Sequence, residues 1–502
     1  MNVEAARKTF ASAAQASEHF DVLIVGAGIS GIGSAYQLTK QMPDTSFVIL
    51  EMQETFGGTW WTHKYPGIRS DSDLHTFGYS FKPWVGPPIA TAAEIRAYMN
   101  EVIEENDLAK YIRYKHRILR ASWSSDTNLW TIEAEKTDSG EAVIITANFL
   151  WMCQGYYRHS EGYTPEWDGL KDFKGEVVHP QNWPDDLVIK DKQIVVIGSG
   201  ATAATLIPNI ADQCAHVTML QRSPTFFRLG RNAIEIAEEL RRLQVKEEWI
   251  HEIVRRKILF EQDAFTRRCL AEPEQVTREL IGQISAVLGP DYDVGTHFTP
   301  RYRPWRQRIA FVPESDFFHS IKDGKASVVT DEIDRFTQTG ILLKSGKTLP
   351  ADIVVTATGF NLCVLGDIAF AVDGKPLDFA DTVTYRGMMF TDIPNMAWVF
   401  GYFRASWTLR TDLVADFVCR LLAHMKKKGV RKVVPALRPE DHNMPLQSWI
   451  DPENFNPNYL MRDMHRLPRR GDKAEWQHSQ DYWTEKDQFP AIDLDDKTFV
   501  YS

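Results

Sequence analysis

The chain has 502 residues, 43% of them hydrophobic and 25% charged. That is an ordinary globular balance on a length beyond a single core, so two or three domains are expected. A net charge of −10 speaks against a general nucleic-acid binder. Five widely spaced cysteines form no CxxC or metal-ligand pair, so reduced thiols, a cytoplasmic setting and no metal are expected.

The first 20 residues are alanine-rich and polar. They read as a loose tail, with no signal peptide and no transmembrane run. Asp21–Val25 then reads as a buried parallel strand, and Gly26-Ala-Gly28-Ile-Ser-Gly31 follows at the start of a helical pattern. Strand, glycine turn and helix form the context that gives this motif weight. Gly26 permits the turn, Gly28 lets backbone approach a pyrophosphate, and Gly31 lets the helix pack on the strand. The next strand, Phe47–Leu50, ends in Glu51, placed 25 residues after Gly26 as a ribose-binding carboxylate would be. Such a site at the start of the chain reads as the FAD half of a two-dinucleotide enzyme.

Thr91 with Glu94 caps a helix over 91–107, and residues 117–150 alternate as three strands of a small meander. A second strand, glycine loop and helix begin at Gln193, with Gly198, Gly200 and Ala203 as the loop positions. Here the strand after the helix ends in Gln221-Arg222, with no acid. An arginine suits the 2′-phosphate of NADPH, although Arg222 also reads as a solvated surface charge. Residues 232–290 read as charged helices, and Ala351–Phe360 as a closing buried strand that ends in Gly359. Trp407 is open between a pocket wall and the core.

Between the two loops lies Phe173-Lys-Gly175-Glu-Val-Val-His179-Pro-Gln-Asn-Trp183-Pro184. This FxGxxxHxxxWP segment resembles the fingerprint of type I Baeyer–Villiger monooxygenases, a branch of the class B flavin monooxygenases. The resemblance runs from about residue 21 past residue 420 and is nearest to the subgroup that activates thioamide prodrugs.

It implies an α/β fold of two interleaved Rossmann-like domains with a helical insertion. The expected boundaries are 1–155 for the first FAD part, 156–227 for the linker and first NADPH part, and 228–300 for the insertion. The second NADPH part follows at 301–358, and 359–502 completes the FAD domain with the C-terminal region.

The resemblance also places Gly58, Thr59, Trp60 and Asp71 at the flavin ring. His179 is expected to couple the domains. Arg308 is the candidate reactive-centre cation, because a guanidinium keeps its charge at every working pH, and Asp71 would hold it. Arg301, Arg303 and Arg306 are its competitors.

The implied chemistry uses FAD, NADPH and O2 on a small apolar ketone or sulfide. Open beside it stand N- or S-oxygenation, NADPH oxidation and a non-catalytic nucleotide-binding role. Whether the chain forms a homo-oligomer is also open, and residues 430–502 carry no functional reading.

Overall fold

β1 (Glu18–Val25), α1 (Ile29–Gln41) and β2 (Phe47–Leu50) begin the first unit. These come from a computed structural model that describes residues 18–502; the tail expected over the first 20 residues lies outside them as far as residue 17, and its last three residues, Glu18–Phe20, already belong to β1, paired with β6. Val22 and Ile24 point into one core, and Leu23 and Val25 into another. Burial on both faces explains why the strand is a continuous apolar run.

α2 (Ala92–Glu105) is closed at its start by the expected capping box between Thr91 and Glu94. β3 (Ile112–Arg113) edges the sheet beside β2. β4 (His116–Ser124), β5 (Leu129–Lys136) and β6 (Ala142–Met152) form the antiparallel meander. β6 also pairs in parallel with β1, so the meander extends the nucleotide-binding sheet itself.

The chain leaves this unit through β7 (Tyr157–Gly162) and enters the second through β8 (Glu176–Val178). β9 (Gln193–Ile197), α3 (Ala201–Ile210) and β10 (His216–Gln221) follow. α4 (Glu235–Arg242), α5 (Glu247–Ala271) and α6 (Pro273–Leu288) are the helical insertion, and β11 (Ala326–Thr330) and β12 (Ile353–Thr356) close the unit. The sheet is parallel throughout, in the order β11-β10-β9-β12-β8. Its edge strand β8 lies inside the FxGxxxHxxxWP segment, so that segment is part of the second sheet as well as the route to it.

The return crossing is β13 (Phe360–Leu362), paired antiparallel with β7. Ala369–Val372 then joins β4, and Met396–Trp398 joins β6. α7 (Trp407–Lys428) lies on α1, with Trp407 Nε1 donating to Ser30 Oγ at 2.8 Å. Residues after 430 fold back onto this unit. Val433–Pro435 pairs with Phe499–Tyr501, and Arg410, fully buried on α7, meets Glu485 at 2.8 Å. No helix of the described residues is long and apolar enough to cross a membrane.

Candidate active site

The first glycine loop is tight. Gly26 sits at φ +96°, and a Cβ added to Gly31 would lie 1.9 Å from the Gly26 carbonyl oxygen. No side chain caps α1 at Gly28, which leaves its first-turn N–H groups free for an anion. Glu51 is buried beside the loop. Its two oxygens accept from the Ala27 and Gln53 N–H groups, each at 2.8 Å. Burial raises its pKa, and the backbone donors oppose that rise.

The Gly57-Gly58-Thr59-Trp60 loop is pinned against the first loop by Gly57 N–H donating to Ala27 O at 3.1 Å. Gly58, at φ +54°, leaves only 3.4 Å between an added Cβ and Gly28 Cα. Thr59–Thr62 makes one helical turn, and Trp60 stands edge-on to Phe77 at 5.7 Å.

The second loop is more open. Gly198 takes φ +126° and backs onto the Ala357 carbonyl, 2.2 Å from an added Cβ, whereas a Cβ on Gly200 meets nothing within 4 Å. Ala203 is fully buried in α3. Arg222 is exposed just past the end of β10 and does not line the central cavity. Ser199, in the loop, bonds to Thr225 at 2.8 Å near the same strand end.

The fingerprint segment ties the crossings together. His179 Nε2 donates to Gly359 O at 3.1 Å, while its Nδ1 accepts from Gln181 N–H at 3.2 Å. This arrangement satisfies a neutral ring, and burial lowers its pKa accordingly. The ring lies where a Gly162 side chain would be, 1.9 Å from that residue's added Cβ. His179 therefore touches the outgoing strand β7 and the start of the return crossing at once. Phe173 packs edge-on to Phe336 at 5.9 Å. Gly175 has a close neighbour, Asp352 O at 2.2 Å from an added Cβ, and that contact accounts for the glycine. Trp183, partly buried, packs against the core of the second unit, and Pro184 follows it.

Both units open onto one cavity of about 800 Å³. Its lining runs from Gly26 and Glu51 through Asp71 and Arg308 to Gly200 and Thr205. Arg308 Nη1 donates to Asp71 Oδ2 at 3.0 Å, with both side chains about a third exposed. Burial alone would lower the Arg308 pKa; the Asp71 charge outweighs it, and the pKa stands well above the ordinary arginine value. The competing arginines do not line the cavity. Arg301 is exposed, Arg303 donates to Asn454 O at 2.9 Å, and Arg306 pairs with Glu453 at 3.1 Å. The loop carrying Asp71 is itself tied to the second unit by Arg69, which meets both oxygens of Asp316 at 2.5 and 3.2 Å.

Several lining residues have no separate sequence signal. Tyr156 and Tyr157 share a hydroxyl–hydroxyl bond of 2.7 Å, and Tyr156 stacks on Trp407 at 5.1 Å. Tyr459 comes from the C-terminal region that the sequence left unread. Trp407 serves both roles open to it, packing on the core and lining the cavity. His63 and His159 are held neutral by burial, with pKa values lowered to about 3 and about 4; His63 is lowered further by His159 and His179. His63 Nε2, both amide atoms of Gln154 and Arg308 Nε are buried at this cavity without a protein partner. Such orphaned polar atoms are what a bound polar cofactor satisfies.

Two strand–glycine–helix units facing one cavity define an oxidoreductase built for two dinucleotides. Comparison with known proteins agrees. The NAD(P)-binding Rossmann-like domain family matches residues 24–85, and the flavin-binding monooxygenase-like family matches residues 75–233. The chain is 44% identical to the FAD-containing monooxygenase EthA of Mycobacterium tuberculosis over 93% of this chain and 94% of that one. It is 41% identical to the probable FAD-binding monooxygenase AlmA of Acinetobacter baylyi, over 95% of each. The chain belongs to the flavin-binding monooxygenase-like family. A steroid monooxygenase bound to NADP shares the fold at a TM-score of 0.74 and 22% identity, over 96% of this chain and 99% of that one. A complex of OTEMO with FAD and NADP does so at 0.74 and 18%, over 97% and 100%.

Proposed function

We propose that this flavin monooxygenase is an FAD- and NADPH-dependent Baeyer–Villiger enzyme. It inserts one oxygen atom of O2 into small apolar ketones to give esters or lactones, and it also oxidises sulfides and thioamides. The second oxygen atom leaves as water, with NADPH as the two-electron donor. The observation that carries this reading is the Arg308–Asp71 pair, one residue from each unit, on the wall of the shared cavity.

Gly26, Gly28, Gly31 and Glu51 would hold the FAD pyrophosphate and ribose. Gly58, Thr59, Trp60 and Asp71 would lie along its ring. Gly198, Gly200 and Ala203 would carry the NADPH pyrophosphate, with Arg222 reaching the 2′-phosphate from outside the cavity. Bound FAD, once reduced by NADPH, supplies the activation of O2.

Arg308 contributes a fixed positive charge and free N–H donors where negative charge develops. Asp71 fixes the guanidinium by a charge-assisted hydrogen bond. The cation keeps its proton at working pH, so it would stabilise negative charge developing beside it without acting as an acid. Tyr156 and Trp407 form an apolar wall that excludes water and suits a ketone. The segment Phe173, Gly175, His179, Trp183 and Pro184 couples the two units, with His179 holding both crossings. Five unpaired cysteines support a cytoplasmic setting.

The test supplies 18O2 and NADPH to the FAD-loaded protein with a linear ketone and a thioether. One labelled atom in an ester supports the proposal. Labelled sulfoxide without ester favours heteroatom oxygenation, and hydrogen peroxide as the sole product favours an oxidase. In the same assay, Arg308→Ala is expected to lower ester formation by ~100-fold or more, as loss of an anion-stabilising donor does. Flavin reduction by NADPH should remain within about threefold of wild type, because the lost charge acts after hydride transfer. Normal ester yield from that variant would remove Arg308 from the site.

A further inference from the structure

Helix α5 has two unlike faces over its 25 residues. The inner face buries Ile250, Val254 and Leu259, and Arg255 Nη1 reaches the carbonyls of His75 and Gly78 at 2.8 and 3.2 Å. On the outer face Trp249, Ile253 and Phe260 are 65%, 36% and 68% exposed. At the helical period, Trp249, Ile253, Arg256, Phe260, Ala264 and Arg267 fall on one stripe, and all six are exposed. None of them lines the central cavity.

We infer that this stripe binds its own copy on a second molecule of the chain, as an antiparallel helix pair around a two-fold axis. Two of the three pairs on the stripe are placed symmetrically about the level of Ile258, and the third, Ile253 and Ala264, is one residue off that symmetry. Trp249 and Arg267 stand nine residues to either side of Ile258, and Arg256 and Phe260 stand two to either side. An antiparallel pair centred there sets Trp249 of one copy against Arg267 of the other, and Arg256 against Phe260. By symmetry each contact occurs twice, which gives four cation–aromatic pairs.

The charges agree with the same register. Glu252 comes within three residues, about 4.5 Å along the axis, of the other copy's Arg267, and Asp263 is offset equally from the other copy's Arg256. Each arginine already holds an acid on its own helix, Arg256 with Glu252 at 2.5 Å and Arg267 with Asp263 at 2.7 Å. Lys257 likewise pairs with Glu261. This balance disfavours an anionic membrane as the occupant, because both arginines of the stripe are matched by flanking acids on the same helix and the whole chain carries −10. A lone helix pair lies at the small end of specific interfaces, so the dimer is expected to be weak and concentration-dependent.

Sedimentation velocity of the FAD-loaded holoenzyme over roughly 1–100 μM tests this, because small interfaces exchange in that range. The expected result is a monomer–dimer equilibrium. Trp249→Ser with Phe260→Ser should weaken it by about tenfold or more while flavin absorbance is kept. A Lys257→Cys variant tests the register. Its two copies would lie about 3 Å apart along the axis, against about 39 Å for Ala271→Cys, so a short bis-maleimide should join only the first. A monomer at every concentration overturns the inference. So does a dimer indifferent to the serine substitutions, equal cross-linking at both cysteines, or a monomer that co-floats with phosphatidylglycerol vesicles through this face.

Discussion

The two glycine loops follow one plan and close around it differently. In the first, Gly31 packs against the Gly26 carbonyl with no room for a methyl group, a second glycine loop lies across it, and a buried carboxylate receives its backbone N–H. In the second, alanine takes the third position, Gly200 faces open space, and the charged group after the next strand is an exposed arginine. The same local fold can therefore enclose one dinucleotide and leave the other free to exchange. That contrast suits a flavin retained through many turnovers and a nicotinamide that comes and goes.

Substitutions at matched positions would break or sharpen this contrast. Gly31→Ala should have the largest effect, because the obstacle is backbone and cannot rotate away. The variant is expected to purify without flavin and to fail to regain visible absorbance with added FAD. Glu51→Gln comes next. The amide keeps one acceptor and loses the charge, so FAD should dissociate ~10–100-fold more readily, the size of a lost charged hydrogen bond; titration of the apoprotein would measure it.

Arg222→Gln should raise the NADPH KM by about tenfold and leave NADH nearly unchanged, a modest effect because the site is exposed to water. Equal change for both cofactors would detach Arg222 from the 2′-phosphate. Ala203→Gly should matter least, costing about 1 kcal/mol of helix stability and roughly 2 °C in Tm, with NADPH kinetics intact. Reciprocal behaviour, with Gly31→Ala tolerated and Ala203→Gly inactive, would reverse the assignment of closed and open sites.

Much of this was legible in the chain. Both strand–loop–helix units, Glu51, the Thr91–Glu94 capping box and the antiparallel meander depend on neighbours a few residues apart or on a regular period, which sequence displays directly. Several boundaries moved by a few residues. α2 runs over Ala92–Glu105 inside the 91–107 expected, and α7 begins at Trp407, where its first turn is secured on α1 by a tryptophan–serine bond that no local pattern records.

Sequence by itself determined that the chain carries two dinucleotide sites in an α/β fold, and that a linker of family type joins them. The family resemblance had already pointed to Arg308 and Asp71; only the tertiary structure brings Asp71, 237 residues away, to 3.0 Å from that guanidinium and leaves the three neighbouring arginines off the cavity. Tertiary structure likewise gave His179 its partner at Gly359, 180 residues on, and brought Tyr459 from an unread C-terminal region into the cavity wall. Local periodicity fixes which elements form. Which side chains converge is set by the packing of two sheets and the paths between them, and neighbours along the chain do not encode that distance.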